Sequence, residues 1–213
     1  MSRPVTPDEL YTLLATPVLD APVLLIHLTG WIDASGCAAD ARDLILDQID
    51  ATPVASFETE WLIDHRARRP LMHILEGVTD STGNDFLLLH GAEPDHNWRA
   101  FCDAVVQLAH RFGVRRVIGL GAYPASSPHT RPSRLSTTAS TPELAVLGFA
   151  PATLNVPAGM QAAVEFALHE SAIPSTGLEE QYDDAVNVEA SIRGDGVADE
   201  ITEFLRNQTG ENS

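Results

Sequence analysis

Apolar residues along this chain gather into short unbroken runs separated by glycine, proline and acidic loops, which is the pattern of strands buried on both faces rather than of alternating surface strands. Val23 to Leu28 (VLLIHL) is the first such run, bounded by Pro22 and Gly30. Phe86 to His90 (FLLLH) and Val114 to Leu120 (VRRVIGL) are two more. Between them the period changes to that of a helix. Ala38, Ala41, Leu44, Ile45 and Ile49 share one face, and so do Phe101, Val105, Leu108, Ala109 and Phe112, with Gly113 closing the second helix. Alternation of buried strand and amphipathic helix predicts an α/β fold whose sheet is mostly parallel and flanked by helices.

Weaker signals fill the rest. Thr6 caps Pro7-Asp8-Glu9 and opens a short helix through Leu10, Tyr11, Leu13 and Leu14, ended by Pro17. Val54 to Ile63 reads as a strand near a sheet edge, Leu71 to Leu75 as a short extended run, Thr141-Pro142-Glu143-Leu144 as a helix start, and Gly159 to Ser171 as a helix. Beyond Thr176 the chain carries ten Asp/Glu against Arg193 and Arg206, a net of −8 out of −17 overall. The expected division is an α/β domain over 1–175 and an acidic, helical tail over 176–213.

Charge and composition then remove whole classes of function. All 13 basic residues are arginine, so Schiff-base chemistry and lysine-dependent phosphate loops are excluded. The charge of −17 argues against nucleic acid, whose binding needs a basic face. No apolar run approaches the roughly 18 residues of a membrane span, and the start MSRPVTPDELYTLL lacks the order of a signal peptide, so a cytoplasmic location is expected. Cys37 and Cys102 read as buried, reduced thiols. No Cys/His metal spacing occurs, and neither a metal nor a cofactor is expected.

Candidate chemistry sits in three loops, each following a buried strand, and these are expected to meet at one end of the sheet. Gly30 to Gly36 precedes a helix N-terminus that could receive an anion; within it, Asp33 could bind a polar ligand or cap the helix. Gly91 to Trp98 carries Glu93, Asp95 and His96, which could do acid–base work, although Asp95 or Asn97 is also the natural cap of the Trp98 helix. Gly121 to Pro132 offers Ser127, His129, Thr130 and Arg131 between stiffening prolines, a set able to hold a phosphate or carboxylate. Ligand-binding candidates are thus Gly30, Asp33, Glu93, Asp95, Ser127, His129, Thr130 and Arg131, while no catalytic residue can be named.

Three segments, PVLLIHLTGWIDASGCAAD, FLLLHGAEPDHNWRAFCDAVVQLAHRFGVRRVIGLGAYPASSPHTRP, and EEQYDDAV with GDGVADEITEFL, resemble the proteasome assembly chaperone 2 family in its bacterial, actinobacterial-type branch. The resemblance implies an architecture similar to nucleoside phosphorylases and hydrolases, frequent trimeric assembly, and no established activity for bacterial members. It points to a binding or assembly protein with a homo-oligomeric or other protein partner. The alternative is an enzyme resembling nucleoside phosphorylases, with Arg131 and the Gly30 to Gly36 loop on phosphate and Asp33 or His129 acting on a nucleoside. Relative to the family, blocks of chain are missing near Thr79 to Ser81 and near Ser175 to Thr176. Spatial breaks are expected at both junctions, and Ala172 to Ser175 are expected to be only the start of the strand that should follow the Gly159 helix.

Overall fold

The computed structural model describes residues 4–30, 33, 36–49, 51–64, 74–79, 85–124, 134–141, 150–151 and 159–182. Nine strands among them form one sheet in the order β1-β3-β4-β5-β2-β6-β9-β7-β8. Its centre is built from β5 (Asp85–Ala92), β2 (Val23–Thr29), β6 (Arg116–Pro124) and β9 (Ser175–Tyr182), all parallel to one another. This is the parallel α/β core that the apolar runs imply. Antiparallel strands extend it on both sides: β4 (Ile74–Thr79), β3 (Thr52–Phe57) and β1 (Tyr11–Leu13) beyond β5, and β7 (Arg134–Ala139) beyond β9. The two residues of β8 (Ala150–Pro151) pair parallel to β7.

Because side chains alternate along a strand, β2, β5 and β6 each feed two cores. On one face Leu25, Leu88, Ile118 and Leu120 pack with Ala38 and Ala41 of α1 (Cys37–Gln48). On the other, Leu24, Ile26, Leu28, Leu87, Leu89 and Val117 pack with α3 (Trp98–Arg111) and α4 (Met160–Glu170). Phe101 of α3 is fully buried at the middle of this larger core, its ring 4.9 Å from that of Phe57. Gly113, at φ 69°, ends α3 as its position in the sequence suggests, with its N–H donating to the His110 carbonyl and that of Val114 to Ala109.

Three expectations give way. Tyr11 to Leu13 do not continue a helix. Only Pro7–Glu9 turn as a 3-10 helix, closed by the Glu9 carboxylate accepting from Thr6 N and Oγ1, each at 3.0 Å. The next residues pair with β3 and bring the Tyr11 ring 6.1 Å from Phe57, so a sheet edge and an aromatic contact outweigh local propensity. Second, the Val54 to Ile63 run is a strand only to Phe57 and then turns into the short helix α2 (Thr59–Leu62).

The third correction is the largest. Ser175 and Thr176 are successive residues of β9, opposite Val117 and Ile118 of β6, so no break separates them and a strand does follow α4. The 175/176 boundary drawn from charge therefore falls inside a strand. That strand is paired along both sides, and the backbone hydrogen bonds of a vacant central slot outweigh the acidic character of STGLEEQY. At the other junction Thr79 lies opposite Asp85 in the β4–β5 ladder. The residues between them fall outside those described.

Candidate functional site

Since β2, β5 and β6 run parallel, their carboxyl ends lie along one edge of the sheet, as the three-loop reading requires. Thr29 is level with Ala92, and Asp33 returns to form a bridge with Ala122 of β6. Gly30 leaves β2 at φ 142°, a conformation open to glycine and costly for other residues. Ser127, His129, Thr130 and Arg131 lie outside the described residues.

Asp33 caps α1. Its carboxylate accepts from Ala38 N at 3.2 Å and Ala39 N at 3.1 Å, and one oxygen lies 3.8 Å from His27 Nε2. His27, 2% exposed near the end of β2, also meets Arg42 of α1, with Nδ1 3.3 Å from Arg42 Nη1. Burial pushes the Asp33 carboxyl up. The hydrogen bond to His27, the two helix N–H groups and the His27 charge outweigh that and hold it below its ordinary value.

Glu93 performs the same service for another helix. It is 9% exposed, and its carboxylate accepts from Met160 N, the first residue of α4. His96 is exposed, whereas Glu93 is buried. The expected cap of α3 is also absent. Asp95 instead accepts from Asp64 N at 2.8 Å, while Asn97, itself at φ 57°, donates from Nδ2 to the Trp61 carbonyl at 2.7 Å. Asp95 N and His96 N both donate to the Leu62 carbonyl, at 2.7 and 3.1 Å. These bonds tie the Glu93 loop to α2, because a polar side chain bonds whichever backbone group the tertiary fold brings near. Trp98 Nε1 donates to the Pro94 carbonyl at 2.6 Å, and the ring remains 46% exposed beside the segment carrying Trp61, itself 47% exposed.

Between β2 and β6 the ladder stops at Ile26 and Gly119. Past that point Gln161 of α4 takes its place, accepting from Leu28 N at 3.3 Å through Oε1 and donating to the Leu120 carbonyl at 3.2 Å through Nε2. Gly119 makes the room. A Cβ there would strike the Glu165 carboxylate and come within 2.6 Å of Gln161 Nε2.

Sequence reasoning passed over His27, His90 and Gln161. His27 and His90 are Cα partners in the β2–β5 register and point to the same face. A histidine at the same place in two similar runs, LLIHL and LLLHG, was the available signal. Gln161 left none, since its partners are backbone groups of distant strands. Among the described residues no group of three or more His, Cys, Asp or Glu could hold a metal ion, and no helix is long and apolar enough to cross a membrane. Neither cysteine forms a disulfide; Cys102 is buried, which pushes its thiol up to about 11, while Cys37 is only partly covered.

The PAC2 family model matches residues 27–183. A Mycobacterium tuberculosis protein of unknown function is similar over the whole chain, with 26% identity, a TM-score of 0.79 and 89% of its own length covered. A PAC2 family protein from Streptomyces avermitilis matches with 24% identity and a TM-score of 0.76, over 87% of this chain and 86% of that one. A proteasome-assembly chaperone homologue from M. tuberculosis has 24% identity and a TM-score of 0.74, over 86% and 85%. The last two likenesses establish shared fold. A search of the curated proteins returns no match.

Proposed function

Because this chain belongs to the PAC2 family, we propose that it is a binding protein with an assembly role, acting through protein surfaces, its own copies included, and not through phosphate or nucleoside chemistry. The observation that carries this reading is the state of two helix N-termini at the carboxyl edge, those of α1 and α4. Such N-termini attract anions, yet Asp33 already occupies that of α1 and Glu93 that of α4. An incoming phosphate would meet carboxylates where a phosphorylase-like site needs donors. The same edge carries the half-exposed Trp61 of α2 and Trp98 at the start of α3, joined through a loop that four hydrogen bonds tie to α2 and the residues beside it, and rigid aromatic side chains are effective anchors in protein contacts.

In this reading Ser127, His129, Thr130 and Arg131 contribute polar and cationic groups to the contact, and the working assembly is a homo-oligomer, with a trimer the state that the family resemblance implies. A cytoplasmic site of action goes with it. The fold shared with a proteasome-assembly chaperone homologue supports the assembly role. The test combines light scattering on wild type, Trp61→Ala and Trp98→Ala with thermal unfolding in phosphate, nucleosides and nucleotides. Folded tryptophan variants of lower mass than wild type, with no thermal shift from any small molecule, are expected. Saturable stabilisation of wild type by phosphate or a nucleoside, lost in Arg131→Ala, would overturn the reading.

A further inference from the structure

The contact between His27 and α1 fixes more than the helix position. A guanidinium can donate but not accept, so with Arg42 Nη1 3.3 Å away, His27 Nδ1 must be the bare acceptor nitrogen and the ring proton must sit on Nε2, toward Asp33 3.8 Å away. The arrangement has no place for a second ring proton. Protonation at Nδ1 would set N–H against N–H and bring two cations together at a site 2% exposed.

The groups around this ring pull in opposite directions. Asp33, from the loop after β2, favours a charged imidazole; Arg42 of α1 and the neighbouring His90 of β5 disfavour one. The β6 residues on this face, Ile118 and Leu120, are apolar. Arg42 also has somewhere to go, because its Nε and Nη2 already donate to Asp43 at 2.8 and 2.7 Å on the more exposed side of the helix.

We propose that His27, Asp33 and Arg42 form a proton-operated latch that holds the first two turns of α1 against the end of β2. With His27 neutral, the helix is held twice, by Asp33 on Ala38 N and Ala39 N and by His27 on Arg42. Uptake of one proton at Nδ1 breaks the second hold, sends the guanidinium to Asp43, and leaves the imidazolium paired with Asp33. Asp33 and the first two turns of α1 are thereby coupled to pH.

Long-range proton–nitrogen NMR on the full chain tests this directly, with His27→Gln and His90→Gln assigning the rings. At about pH 8 the His27 ring should show the Nε2–H tautomer; on acidification to about pH 5, the span over which imidazoles change charge, its signals and the α1 amides from Ala38 to Arg42 should shift with one common midpoint. In Arg42→Ala the ring should still titrate while the Asp40 and Ala41 amides lose that midpoint and those of Ala38 and Ala39, bonded to Asp33, keep it. Since Arg42 is only partly buried, this variant serves if His27→Gln does not fold. An Nδ1–H tautomer at high pH, a ring that stays neutral to pH 5, α1 amides that ignore the titration, or a transition removed by His90→Gln and kept in His27→Gln would each overturn the latch.

Discussion

Asp33 and Glu93 each give a carboxylate to the first N–H groups of a helix, where the helix dipole and the unpaired donors both favour negative charge. For Asp33 this has a pH consequence. Its carboxyl is held below the ordinary value of 3.8, so its contribution is fully present above that pH and is lost as the pH falls through the lower, folded-state value. Asp33→Asn, which removes the charge at the helix N-terminus, should therefore cost about 1 kcal/mol near neutrality, with the gap to wild type closing at acid pH. Urea unfolding at a series of pH values below neutrality checks it; a gap that does not change with pH would contradict the assignment of a charged cap.

The joint between β2 and β6 is where elements constrain each other most closely. Two parallel strands part after Ile26 and Gly119, and the side-chain amide of one glutamine takes up a backbone donor and acceptor that the ladder no longer serves. Gln161→Ala should leave Leu28 N and the Leu120 carbonyl without that partner, a loss of about 1–3 kcal/mol. Gly119→Ala should cost a similar amount, about 1–3 kcal/mol, by pushing Glu165 and Gln161 off the strand. As both changes act on the same contact, the double variant should lose less than the two losses added. Denaturant midpoints of the three proteins decide this, and full additivity would mean that Gly119 and Gln161 act separately.

At the scale of the whole molecule, the position of β9 decides where the chain can be cut. A protein ending at Ser175 loses all but the first residue of a strand paired with both β6 and β7, and is expected to unfold or aggregate; one ending at Tyr182 keeps both ladders and should unfold cooperatively. Circular dichroism and calorimetry of the two truncations separate these outcomes. An equally stable protein ending at Ser175 would show that β9 adds nothing to the sheet. The α/β class, the parallel centre and the shared edge of the β2, β5 and β6 carboxyl ends were legible in the sequence, because a strand buried on both faces has to be a continuous apolar run and Val23 to Leu28, Phe86 to His90 and Val114 to Leu120 are such runs. The family was legible too, in the GAEPDHNWR and SSPHTRP segments. Only the tertiary structure decided the rest, and the reason is common to each case. Tyr11 to Leu13 became a strand because β3 offered an edge; STGLEEQY became one because β6 and β7 left a slot between them; and Asp95 and Asn97 left the α3 terminus because backbone groups of α2 and the residues beside it stood within reach. Local sequence sets which hydrogen bonds and contacts a segment is able to make, and the assembled chain sets which partners are present to make them.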